Sequence, residues 1–143
     1  MGGGSMMSGG MMGHATSADM RTYMDMFMHH AQIRRTVEHI SGGVRTLTES
    51  DNPQIAKQLQ EHVSEMYAHV AAGQEVQCMS PNLPQMFREA SRYQRSLHLT
   101  PKGVSVSETS RDPRLVKTIR AHADEVSGFV KDGMPAMMRE MMR

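Results

Sequence analysis

One 31-residue stretch of this chain occurs twice. Residues 43–73, GVRTLTESDNPQIAKQLQEHVSEMYAHVAAG, align without a gap to residues 103–133, GVSVSETSRDPRLVKTIRAHADEVSGFVKDG, at an offset of 60. Nine of the 31 columns are identical (Gly43/Gly103, Val44/Val104, Ser50/Ser110, Pro53/Pro113, Lys57/Lys117, His62/His122, Glu65/Glu125, Val70/Val130 and Gly73/Gly133), where chance gives roughly two. The same offset pairs Met26-Phe27 with Met86-Phe87 and Arg35 with Arg95. Whatever residues 24–73 form, residues 84–133 should form as well. Each unit of about 50 residues is too small to bury its apolar face alone, so the two need one another within one domain.

Residues 1–19, rich in Gly and Ser, cannot repay the entropy of ordering and read as a flexible Met/Gly-rich tail. Met26, His30, Ile33, Val37 and Ile40, at steps of three and four, predict a first helix to about Ser41, stopped by Gly42-Gly43. Residues 42–52 read as a long loop. Asp51-Asn52-Pro53 then cap a second helix to about Ala72, with Ile55, Leu59, His62, Met66 and His69 on one stripe and Gly73 as its stop. A linker, 74–84, leads to a third helix to about Leu99 with Met86, Ala90, Tyr93 and Leu97 inward. Asp112-Pro113 opens the fourth, striped by Leu115, Ile119, His122, Val126 and Phe129 and ended by Gly133. The expected fold class is all-α, an antiparallel four-helix bundle over residues 20–133 built from two duplicated helical hairpins, followed by a Met-rich tail at 134–143. In that topology His62 and His122 face each other near mid-core, with Glu65 and Glu125 one turn further on.

The charge balance, 16 Lys and Arg against 15 Asp and Glu interspersed along the chain, argues against a nucleic-acid surface. No run approaches the length of an apolar membrane span. The lone cysteine, Cys78, excludes an internal disulfide. No Ser/His/Asp arrangement, phosphate loop or pair of catalytic carboxylates is present, so an enzyme is not expected. The unusual content is 17 Met and 8 His beside no Trp, three Phe and three Tyr. Met can fill a core that lacks aromatics, but Met6, Met7, Met11 and Met12 lie in the Gly-rich tail and Met134, Met137, Met138, Met141 and Met142 crowd the last ten residues. Thioether, thiolate and imidazole together are the ligand set of Cu(I). The bundle would bring Met26, His30, Met66, His69, Cys78, Met79, Met86, Met134, Met137 and Met138 to one pole as candidate metal ligands. His62 and His122 are left open between a structural polar layer and a cofactor site. Haem bound without covalent attachment, between His62 or His30 and Met66 with Arg34 or Arg35 at its propionates, is the alternative cofactor. A Met-rich module that docks a partner protein is the further alternative.

Phe27-Met28-His29-His30, followed by Asp51-Asn52-Pro53-Gln54-Ile55-Ala56 and Gln60-Glu61-His62-Val63-Ser64-Glu65-Met66, resembles the Met/His-rich helical-bundle family of bacterial periplasmic copper-binding and copper-resistance proteins. That family has a double-His helix followed by a helix with a Gln-x-x-Glu-Ile-x-x-Met pattern, and the resemblance covers residues 24–70. It implies a Cu(I)-binding protein for copper buffering, delivery or resistance, exported to the periplasm, which would pass metal to a copper-transfer partner protein. A monomer or homodimer is expected. The start MGGGSMMSGGMMG is in keeping with the head of a processed, exported chain, and the cytoplasm is the alternative compartment.

Overall fold

Residues 33–50 decide the fold against the bundle. Ile33, Val37 and Ile40 fit a helix, but Ile33, Arg35 and Val37 also alternate, and Val44, Thr46 and Thr48 alternate after them. β-branched side chains at period two favour a pleated sheet over a helix or a loop. In the computed structural model, which describes residues 17–73 and 81–133, the first helix is accordingly short. Helix α1 covers Ser17–Met28, a 3-10 turn covers His30–Gln32, and strand β1 covers Ile33–Ile40. The expected loop is strand β2, Gly43–Ser50, and it returns against β1 through a two-residue turn in which Gly42 takes φ 78°. Helix α2, Pro53–Ala71, agrees with the expected second helix. The second copy follows the same order, with α3 at Leu83–Arg88, a 3-10 turn at Ala90–Arg92, β3 at Tyr93–Thr100, β4 at Gly103–Ser110 and α4 at Pro113–Asp132. The all-α four-helix bundle is thereby corrected to a two-layer α/β fold, with helices on a four-stranded antiparallel sheet of order β1-β2-β4-β3.

The central seam carries the duplication. Strands β2 and β4 run antiparallel with Thr46 opposite Val106, which are the same column of the repeat. A pseudo-twofold axis therefore passes through that pair, normal to the sheet, and relates α2 to α4. The repeat's identical residues find their reasons here. A Cβ on Gly43 would overlap the main-chain carbonyl of Glu108, and one on Gly103 would overlap that of Thr48, so close approach of the two copies requires glycine in both. Ser50 Oγ accepts from the Asn52 N–H and Ser110 Oγ from the Asp112 N–H, each at 3.1 Å. Asn52 and Asp112 then cap the long helices by accepting from the Gln54 and Arg114 N–H groups at 3.0 and 2.9 Å, with Pro53 and Pro113 in the first helical turn.

Each long helix clamps the other copy's hairpin. Arg120 on α4 donates to the Ile40 carbonyl at 3.0 Å and to the Gly43 carbonyl at 3.3 Å, and Gln60, its counterpart on α2, donates to the Thr100 carbonyl at 2.7 Å. The copies are interlocked, and the core reflects this. Val44 from the first copy is buried with Met86, Tyr93, Leu115, Ile119 and Ala123 from the second. Tyr23, Met26, Ile55 and Leu59 form a second cluster, and Val70, Leu83 and Phe87 a third. Among the described residues no helix is long and apolar enough to cross a membrane.

Candidate functional site

The long helices rest on the sheet and on the short helices, with little contact between one another. The space left between them is a cavity of about 230 Å³ that includes the axis pair in its lining. Its floor is the axis pair Thr46 and Val106, with Thr48 and Val104 beside them. Its sides are His62, Val63, Met66 and Val70 from α2 and His122, Val126, Phe129 and Val130 from α4, and its ends include Met26 and Phe27 from α1 and Met86 from α3. The Phe27 and Phe129 rings meet edge to face, 5.9 Å between centroids. The lining is predominantly apolar with a few polar groups, the general character of small-molecule sites.

His62 and His122, identical columns of the repeat, both line this cavity and both are half-buried. Their settings differ. The His62 ring stands edge-on to Tyr23, 4.8 Å between centroids, and the Tyr23 hydroxyl donates to the Met66 sulfur at 3.8 Å. The His122 ring lies with Nδ1 3.3 Å from Glu125 Oε1, one turn further along α4.

Two polar residues in the cavity wall, Glu108 and Tyr67, are cavity groups that the helical reading of the sequence does not single out, while Arg35 enters that reading only as a partner for a haem propionate. The Tyr67 hydroxyl donates to buried Glu108 at 2.8 Å. Burial first, then the Glu108 carboxylate, raises the Tyr67 phenol far above its usual range, and the same two causes push Tyr93 up to about 12. Arg35 donates from Nε to Ser127 Oγ at 3.0 Å, from Nη1 to Thr48 Oγ1 at 2.8 Å and from Nη2 to the Ala123 carbonyl at 3.3 Å. Burial pushes this guanidinium down to about 10, against the opposing fields of Glu108 and Asp124. The signal for Arg35 and Glu108 is present in the alternation of residues 33–37 and 104–108, which turns both inward once the segments are strands.

The expected metal ligands are only partly brought together. Met26, His30, Met66 and Met86 line the cavity, while His69 is not part of its lining and lies 3.5 Å from Glu65 on its own helix. The His30 ring Nδ1 is 2.8 Å from the Val130 carbonyl, which ties it to the end of α4. Cys78, Met79, Met134, Met137 and Met138 lie outside the described residues. Among the described residues no three of His, Cys, Asp and Glu form a group able to hold a metal ion, so the expected metal-binding character is corrected for this part of the chain. Strands β1 and β3 replace the far halves of the expected first and third helices and carry no Met or Cys, so that Met26, His30, Met66 and Met86 stand in the wall of a cavity between helices and sheet instead of at the pole of a bundle. No protein-family model, no curated protein and no solved structure matches this chain, so the cavity's own geometry carries the functional reading.

Proposed function

We propose that the protein binds a small, largely apolar molecule in the cavity between α2 and α4. The observation that carries this reading is the cavity itself. Close-packed interiors hold few voids larger than a water molecule, yet this one measures about 230 Å³ and is flanked by paired histidines from the two copies of the repeat. An apolar cavity of about 150 Å³ takes benzene, so by proportion this one suits a ligand of roughly nine non-hydrogen atoms. A macrocycle the size of haem asks for far more room, since pockets for drug-sized ligands alone span about 300–1,000 Å³.

Toluene is the simplest probe. It should raise the melting temperature of the full chain in proportion to the logarithm of its concentration above Kd. Val126→Trp, which fills the space from α4, should abolish that rise while leaving the far-ultraviolet circular dichroism unchanged. An unshifted melting temperature with toluene, or a shift that survives Val126→Trp undiminished, would overturn the reading. Uptake of Cu(I) alone, with no response to toluene, would overturn it as well.

A further inference from the structure

The duplication supplies an internal control for the charge of the site. Arg35 and Arg95 occupy the same column of the repeat, as do Thr48 and Glu108, and as do Tyr67 and Ser127. In one copy the arginine column faces an acid. Arg95 stands directly opposite Glu108 in the register of the β3–β4 ladder, and Glu108 accepts from the Tyr67 hydroxyl at 2.8 Å. In the other copy the acid is replaced by Thr48 and the phenol by Ser127, and Arg35 donates to these two hydroxyls and to one main-chain carbonyl. Among the described residues no carboxylate lies within ion-pair distance of Arg35. Three of its five N–H groups are engaged, all by neutral oxygens.

Two arginines and one glutamate therefore stand on the helix-covered face of the sheet; Arg95 donates to the Ala90 carbonyl at 3.1 Å and lies over the Tyr93 ring, and of the two arginines Arg35 is the one in the cavity wall. Burying a cation without a contacting anion is costly, and a hydroxyl-anchored guanidinium is already fixed in place to meet a carboxylate through its remaining N–H groups. Glu108 lies in the same wall and repels an anion, but its carboxylate is engaged by the Tyr67 hydroxyl at 2.8 Å, while Asp124, the other acid whose field reaches Arg35, is exposed.

On the reading that the cavity binds an apolar molecule, we infer that the ligand is a small apolar acid, its hydrocarbon part between α2 and α4 and its carboxylate, or an equivalent anionic oxygen group, against Arg35. The three thioethers, the two phenylalanine rings and the valines supply the apolar contacts, and the break in the repeat's symmetry sets which end of the cavity takes the charge.

The test is titration calorimetry of the full chain with toluene, benzamide and benzoate, the last two matched in shape and differing in charge. Benzoate should bind roughly 10- to 100-fold more tightly than benzamide, as one charge-assisted contact implies. Arg35→Met should remove that preference and leave toluene affinity within a factor of about three, while Arg35→Lys, which keeps the charge and loses the fork, should retain part of it. Should Arg35→Met fail to fold, the Arg35→Lys chain and the benzoate-to-benzamide ratio of the unaltered protein still decide the matter. Equal affinities for benzoate and benzamide, with toluene binding intact, would overturn the anionic ligand and leave the apolar site standing. No binding of any of the three would overturn both.

Discussion

Replacing Gly43 with alanine should cost at least about 3 kcal/mol of stability, well beyond the usual effect of adding one methyl group. The added carbon would overlap the carbonyl of Glu108 in the neighbouring strand, and that carbonyl belongs to the β2–β4 seam on which the two copies join. A main-chain atom in the middle of a sheet cannot step aside as a flexible side chain can. Gly103→Ala should behave in the same way, because its Cβ would meet the Thr48 carbonyl. Gly128 is the contrast. It sits inside α4, and a methyl group added there would meet nothing within 4 Å, so Gly128→Ala should stabilise the protein by about 0.5–1 kcal/mol through helix propensity. Urea unfolding followed by circular dichroism measures all three. Equal and small effects at positions 43 and 128 would contradict the strand register at the seam.

Ile119 and Val126 lie on the same helix and should respond very differently to alanine. Ile119 is fully buried among Val44, Met86, Tyr93, Leu115 and Ala123. Ile119→Ala should therefore cost about 2–5 kcal/mol, the sum of lost burial and the void left behind. Val126 faces a space that is already open, so its methyl groups have few partner atoms on that side, and Val126→Ala should cost about 1 kcal/mol or less. The pair separates a well-packed core from a cavity wall on one element, by the same unfolding measurement. A large loss at Val126 would mean that the helices close on each other there.

The sequence is most readable where local chemistry acts alone. Asn52-Pro53 and Asp112-Pro113 mark helix starts by capping geometry, and Gly73 and Gly133 mark the stops, with φ of 70° and 80° in the structure; both long helices follow from these signals. Residues 33–40 are harder, because Ile33 and Val37 satisfy a period of 3.6 and a period of two equally well, and a helix-based choice turns Arg35 outward. Residues 43–50 and 103–110 carry enough Ser, Thr and Gly to read as loops, although Thr and Val at alternate positions are strand formers. An error at residues 33–50 is repeated at 93–110 because the chain is duplicated, and together the two turn an α/β fold into a bundle. The site is legible in part. His62 and His122 can be paired from the repeat, and both do line the cavity. Arg35 and Glu108 cannot be placed there without the strands, since only the pleat turns them toward the helices. The concentration of methionine reads as a metal signal, yet within the described residues Met26, Met66 and Met86 are wall groups of an apolar cavity.

Those three methionines give the most direct test of a ligand site between α2 and α4. Their ε-methyl groups can be labelled with carbon-13 and assigned by single replacement with leucine, and the spectrum of the full chain followed as toluene is added. The account predicts saturable shifts of the Met26, Met66 and Met86 resonances with one shared dissociation constant, because the aromatic ring current of a bound ligand acts on all three walls at once. If these three resonances stay in place while toluene is raised to its solubility limit, the cavity is not a binding site.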